Sequence, residues 1–258
     1  MLSAYLLVSH GSRDPRPQVA VDRLAQQLSL YLQQDSPALV ATAQLELADR
    51  SLHLQIIDFT DKCIENGIER VTILPLFLNP GVHVMDDIPA EVELANRLLT
   101  THQPQEIGER LKLIVTPFLS TYPDFINLFR KSRSQLANST IILAHGSRRE
   151  DGNTIVEQLA ASLNVKTAYW SIEPSLTERV TALVAVGATE IEILPYFLFA
   201  GGITDTIAEL VTKLRQQFPQ VRLMLGEPIG NSPEFLQTIG RILGSIEACA
   251  PFPADRDI

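Results

Sequence analysis

Ala4-Tyr5-Leu6-Leu7-Val8-Ser9-His10-Gly11-Ser12-Arg13 decides the fold, because its polar end returns as Ala144-His145-Gly146-Ser147-Arg148 behind another apolar run. A short apolar run that stops at a glycine-containing turn reads as a buried strand feeding a loop. Meeting that unit twice, the chain reads as one half-molecule copied and then altered. What both copies keep is architectural, and polar chemistry kept by only one of them marks a candidate site.

A second internal match extends the repeat. Gly67-Ile68-Glu69-Arg70-Val71-Thr72-Ile73-Leu74-Pro75-Leu76-Phe77-Leu78 runs parallel to Gly187-Ala188-Thr189-Glu190-Ile191-Glu192-Ile193-Leu194-Pro195-Tyr196-Phe197-Leu198. Fewer residues separate the two matching stretches in the second copy than in the first, as when surface connections shorten around a retained core. In the first half, short apolar runs alternate with longer amphipathic ones. Strands are expected at Ala4 to Val8, Leu39 to Leu47, Val71 to Phe77 and Leu111 to Val115.

Between them lie helices Val19 to Leu32, Leu52 to Asn66 behind a capping Ser51, and one from Asp86 or Asp87 to Leu99. Gly67 is placed to end the second helix in the left-handed conformation. The second half predicts strands near Ile141 to Ala144, Val165 to Ser171, Ile191 to Phe197 and Val221 to Leu225. This βαβ alternation specifies an α/β protein with mainly parallel sheets. Right-handed crossovers then give two small three-layer units with functional loops at the carboxyl ends of their strands. The domains are expected at residues 1–120 and 138–258, with a helix, Tyr122 to Leu136, in the 121–137 connection.

The 258 residues suffice for two such domains. With 45% apolar, 20% charged and 6% aromatic residues, the chain has the composition of a globular protein, not a disordered or fibrous one. A formal charge of −9 argues against a general nucleic-acid binder, which needs a basic face. Cys63 and Cys249 fall in no metal-ligand or disulfide pattern, so a reducing cytoplasm is the expected compartment. The start, Met1 to Val8, lacks a basic leader and does not read as a signal peptide. The apolar stretch Val180 to Gly202 is broken by Glu190, Glu192 and Pro195, so no membrane span is expected.

His10 sits where a strand gives way to a helix, with Gly11 and Ser12 to turn the chain. His83 lies just beyond the next strand end, and Glu46 closes the strand Leu39 to Leu47 on the same rim. Neutral imidazole binds divalent metals through either ring nitrogen and titrates near neutrality, so two facing histidines can hold a metal and accept a proton. Glu46 adds a carboxylate for metal or proton. Taken alone it reads rather as an exposed strand-end residue.

The second copy serves as a control. Aligning Ser51-Leu52 with Ser175-Leu176 sets Trp170 against Glu46, and aligning the Leu-Pro strands sets Ile203 or Gly202 against His83, with Asp205 against Asp87. His145 therefore keeps neither companion and reads as an inherited turn residue. One site is expected, in the first half.

Ser9-His10-Gly11-Ser12-Arg13, Leu45-Glu46-Leu47-Ala48, and Pro75-Leu76-Phe77-Leu78 leading to Gly81-Val82-His83 and Asp87-Ile88-Pro89 resemble the sirohydrochlorin chelatases of the class II chelatase group. The likeness spans both halves, as in the duplicated long form. It implies two tandem chelatase-like domains with a tetrapyrrole cleft between them, the second carrying a degenerate site. It further implies insertion of Fe²⁺ or Co²⁺ into sirohydrochlorin, with release of two protons, for sirohaem or cobalamin synthesis. The metal is then a substrate, with no permanently bound cofactor. By the same resemblance His10 and His83 are the metal-binding, proton-accepting pair and Glu46 is the pocket acid. The loop Leu78, Asn79, Pro80, Gly81, Val82 and His83 would contact the macrocycle.

Such substrates carry many carboxylates, which Arg13, Arg148 and Arg149 could pair in bidentate fashion, though each also reads as a solvent-facing residue near a helix start. His53 and His102 read as structural. A monomer without nucleic-acid or membrane partners is expected. Two alternatives stand beside this reading: histidine-dependent phosphoryl transfer, which would want an arginine where Ser9 and Ala144 stand, and a non-catalytic metal or tetrapyrrole carrier. Imidazole and carboxylate accept Fe²⁺, Co²⁺ and Ni²⁺ alike. The tail Ala248 to Ile258 lacks a His- or Cys-rich cluster, which leans the reading toward iron.

Overall fold

The computed structural model describes residues 3–33, 38–102, 111–132, 137, 139–149 and 151–248. The first half runs β1 (Ser3–Ser9), α1 (Pro15–Leu32), β2 (Ala38–Gln44), α2 (Leu52–Glu65), β3 (Arg70–Pro75), α3 (Ile88–His102), β4 (Lys112–Val115) and α4 (Pro123–Ser132). The second repeats the order as β5 (Ser139–Ala144), α5 (Thr154–Leu163), β6 (Lys166–Tyr169), α6 (Leu176–Ala185), β7 (Glu190–Pro195), α7 (Gly202–Gln217), β8 (Arg222–Leu225) and α8 (Pro233–Ala248). Two parallel four-stranded sheets result, ordered β2-β1-β3-β4 and β6-β5-β7-β8. The expected α/β alternation is therefore present in both halves.

Several boundaries differ from expectation for local reasons. Helix α1 begins four residues before Val19, because Asp14 caps it by accepting from Arg16 N–H and Pro15 supplies the preset first turn. Strand β2 ends at Gln44, short of Leu47, which adopts a left-handed φ of 59° and cannot continue a strand. Gly67 takes φ 70° after α2, as expected, and its copy Gly187 takes φ 90°. Part of the expected connecting helix, residues 133–136, lies outside the described residues, as does the tail from Cys249 onward.

The continuous apolar run of β1 is explained by burial on both faces. Ala4, Leu6 and Val8 enter a core with α2 and α3, while Tyr5 and Leu7 point the other way. That second core is not private to the first half. It joins Tyr5 and Leu7 to Ile142 and Ala144 of β5 through apolar faces of α1, α4, α5 and α8. The inner helices thus form one layer between two sheets, where the sequence suggested two small three-layer units.

The last helix of each half reaches across. Leu128 and Phe129 of α4 line a cavity of about 470 Å³ with Leu194 and Pro195 at the end of β7. In return α8 lies on α1, so close that a Cβ added at Gly240 would fall 2.4 Å from the Tyr31 ring. An ion-paired clamp joins the halves nearer the loops, where Arg16 contacts Asp14 and Asp205 at 2.6 Å each. Hydrogen bonds from Arg16 hold both carboxyls below their ordinary range. Acids shifted this way stabilise the fold above their unfolded pKa of about 4, and the contribution is lost as pH falls through the lower folded values. The clamp is complete at neutral pH.

Because α8 has no room on α1, Gly240→Val is expected to lower Tm by roughly 2–10 °C in a thermal melt, the cost of overpacking a filled contact. Adding Gly240→Val to Tyr31→Ala should cost less than adding it to the wild type. Equal costs in the two backgrounds would show that this contact does not limit the helix packing.

Candidate metal and substrate site

The site forms where the first sheet runs out of strands but not of hydrogen bonds. Beyond the paired strands, Leu45 N–H donates to Ser9 O and Glu46 N–H to His10 O, both at 2.9 Å. Glu46 is therefore fixed opposite His10 although β2 has already ended. Gly11 follows with φ 96°, and a Cβ there would lie 1.9 Å from the Glu46 carbonyl oxygen. Only glycine allows this approach. The next residue along, Leu47, is held in its left-handed conformation with its side chain exposed, a strain of the kind that surrounding structure must sustain.

His83 arrives from the other side on the loop that leaves β3. Sequence placed a helix start at Asp86 or Asp87, whereas a single π-helical turn already spans His83–Asp87 before regular α3 begins at Ile88. This wide turn lets the Asp87 carboxylate meet His83 Nδ1 at 2.8 Å. In the sequence Asp87 reads as a helix start, a motif residue and the counterpart of Asp205, not as a partner of His83. Its spacing of four residues from His83 was the available signal, meaningful only once a helical turn is formed between them.

His10 and His83 meet through their Nε2 atoms, 3.2 Å apart, with the rings edge to face. A carboxylate at His83 Nδ1 assigns the proton to that nitrogen and leaves Nε2 with a lone pair. His10 Nδ1 is 3.2 Å from Gly11 O, which favours the same tautomer. Two lone pairs facing one another call for a proton or a cation between them. If each nitrogen lies about 2.0–2.1 Å from an ion, a separation of 3.2 Å corresponds to an angle of roughly 100°, that of neighbouring ligands on one metal.

Glu46 Oε1 lies 4.0 Å from His83 Nδ1, and ligand atoms of His10, Glu46 and His83 all fall within 4.8 Å of one another. Phe77 backs both imidazoles, with ring centroids 6.2 and 6.4 Å away. The structure thus brings together the three residues that sequence singled out. Their arrangement can hold a divalent ion while exposing an imidazole base.

The remaining sites fall out differently. Leu78 and Asn79 are partly buried, Pro80 and Val82 are exposed, and Gly81 O accepts from Val84 and Met85 as the π-helical turn starts. Arg13, Arg148 and Arg149 are exposed on the turns after β1 and β5. His53 ties α2 to α3 through Glu91, at 2.8 Å, in keeping with a structural role. His102 ends α3, and its side chain lies outside the described residues.

In the second half His145 is exposed and Gly146 keeps its positive φ, 87°, so the turn survives there. The sequence alignment slipped by one residue: Trp170 N–H donates to Ala144 O and Ser171 N–H to His145 O, which makes Ser171, not Trp170, the counterpart of Glu46. No carboxylate occupies that place. Asp205, aligned with Asp87, meets Arg16 of the first half.

A family profile described as CbiX matches residues 4–136 and again 139–244, nearly the whole chain. The chain belongs to the CbiX family. A sirohydrochlorin cobaltochelatase of Priestia megaterium is 27% identical over 267 residues, spanning 92% of this chain and 78% of that protein. A sirohydrochlorin ferrochelatase of the same organism is 26% identical over 237 residues, 84% of this chain and 82% of that one. The solved structure of SirB from Bacillus subtilis with Fe³⁺ shares the fold, with a TM-score of 0.72 at 21% identity over 95% of both chains. The duplicated CbiX fold and the two-sheet architecture therefore agree. Among the described residues, no helix is long and apolar enough to cross a membrane.

Replacing Asp87 with Ala releases His83 Nδ1 without touching either Nε2, so Co²⁺ affinity measured by titration should fall about 10–100-fold. An unchanged affinity would show that the carboxylate does not orient His83.

Proposed function

We propose that this chain inserts a divalent metal, Fe²⁺ or Co²⁺, into sirohydrochlorin, a ferrochelatase or cobaltochelatase reaction of sirohaem or cobalamin synthesis. The observation that carries the reading is the pair of imidazole Nε2 atoms 3.2 Å apart beside Glu46, in a chain of the CbiX family. Metal insertion requires that the ion lose water ligands and that the macrocycle lose two N–H protons. Both needs suit these residues. His10 takes a pyrrole proton, His83 holds the ion on the same face with its Nδ1 anchored by Asp87, and Glu46 offsets the metal charge and passes protons to solvent. The metal leaves with the product, so it is substrate, not resident cofactor.

The loop from Leu78 to Val82 and the exposed Arg13 are assigned to contact the macrocycle and its carboxylates. Residues 1–120 then form the catalytic unit and 138–258 the degenerate copy, joined through 121–137. The reaction is placed in the cytoplasm, carried out by a monomer without nucleic-acid or membrane partners. Burial pushes the Cys63 thiol up to about 12, which keeps it protonated and out of metal chemistry.

His10→Ala and His83→Ala are expected to lower the rate of Co²⁺ or Fe²⁺ insertion, followed by the tetrapyrrole spectrum under anaerobic conditions, by at least about 100-fold, within the range that general-base catalysis supplies. Near-normal rates in both variants would remove this mechanism. The wild type should complete many turnovers at substoichiometric protein, whereas one turnover per chain would identify a carrier. A chromogenic phosphate ester should remain uncleaved.

A further inference from the structure

The loop that delivers His83 is anchored differently from its copy. In the second half Leu198 O accepts a backbone bond from Gly230 N–H at 2.7 Å, just after Ile229 N–H has bonded Phe197 O. Gly230 must be glycine there, since a Cβ would lie 2.3 Å from that carbonyl. In the first half Leu119 N–H bonds Phe77 O in the same way, but the counterpart of Gly230 is Ser120. Its side chain has replaced the backbone bond. Ser120 Oγ donates to Leu78 O at 2.5 Å and lies 2.6 Å from Tyr196 Oη, which is itself 3.1 Å from Leu78 O.

Tyr196 belongs to the second half and stands where the first half has Leu76. Its ring is 3% exposed and packs on Phe129 of α4, with centroids 5.2 Å apart. Each hydroxyl has one proton to give. Ser120 donates to Leu78 O, and Tyr196 Oη, within hydrogen-bond reach of both Leu78 O and Ser120 Oγ, ties the second half to the start of the His83 loop. Burial pushes the phenol up to about 12, which keeps its proton in place at neutral pH.

We propose that Tyr196 and Ser120 are positioning residues for His83, so that the second half, which has no metal-ligand cluster among its described residues, holds the metal loop of the first. This rests on the reading of His83 as a metal ligand. The Leu78 carbonyl lies three residues past the end of β3, at the start of the loop, and Gly81 O is bonded next along it, at the head of the π-helical turn. Freeing Leu78 would let His83 drift from the 3.2 Å approach to His10 that suits two ligands of one ion.

The test uses the full chain with Co²⁺ alone as titrant, then Co²⁺ insertion kinetics. Tyr196→Phe keeps the ring and removes the hydroxyl, and Ser120→Ala removes the other hydroxyl at Leu78 O. Each should weaken Co²⁺ binding roughly three- to tenfold, the effect of losing one hydrogen bond that orders a ligand. Each should raise KM for Co²⁺ more than KM for sirohydrochlorin, whose contacts are spread along the loop from Leu78 to Val82 and Arg13. The double variant should be little worse than the weaker-binding single, because both act through one carbonyl. Thr238→Val, at a buried position of α8 where the hydroxyl accepts from Arg241, should lower Tm without moving Co²⁺ affinity. Co²⁺ binding by Tyr196→Phe within twofold of wild type, or a matching loss in Thr238→Val, would overturn the positioning role while His83→Ala still abolished binding. Undiminished Co²⁺ binding and insertion in His83→Ala would instead overturn the metal-ligand reading beneath it.

Discussion

The central apolar layer is the constraint on which the rest of the molecule depends. Tyr5 and Leu7 from one sheet and Ile142 and Ala144 from the other drain into a single core, and the terminal helix of each half reaches the opposite half. Burial of a sheet face is roughly proportional to the apolar area removed from water, so neither half could expose this layer without losing a large part of its stability. Association of the halves is therefore part of folding itself. Loops at the carboxyl ends of both sheets inherit a fixed relation from it, secured further by Arg16 between Asp14 and Asp205.

From that frame the site is assembled by backbone geometry before any charged group acts. Two hydrogen bonds carry the β1–β2 pairing past the sheet, Gly11 admits the Glu46 carbonyl, and Leu47 bears the strain. A π-helical turn then sets Asp87 behind His83. Each imidazole has its Nδ1 next to an acceptor, which turns both Nε2 lone pairs to the same point. That one arrangement suits both of the roles proposed for the pair, metal binding and proton acceptance.

Much of this was legible. Apolar runs, a repeated turn and capping residues located the strands and helices, because those signals act over a few residues. His10 and His83 were readable as strand-end histidines, and the absence of counterparts to His83 and Glu46 beside His145 pointed to one site. Glu46 was picked out although its strand stops at Gln44, since ladder bonds continue beyond the strand. The alignment of Trp170 with Glu46 failed by one residue because gaps in a loop cannot be placed without the hydrogen bonds that fix register. Asp87 and Tyr196 were missed as partners, one because its role needs a wide turn and the other because its target lies in the opposite half.

The sequence by itself determined the α/β class, the duplication, the strand-end histidines and the loss of their partners in the second copy. These rest on periodicity, turn chemistry and residue identity, all local properties of the chain. Only the tertiary structure decided that the halves share a core, that His10 and His83 meet nitrogen to nitrogen, and that Ser120 and Tyr196 hold the loop between them. Those depend on distances between residues far apart in the chain, which are set when both sheets close on the same helices and every buried polar group must find a partner.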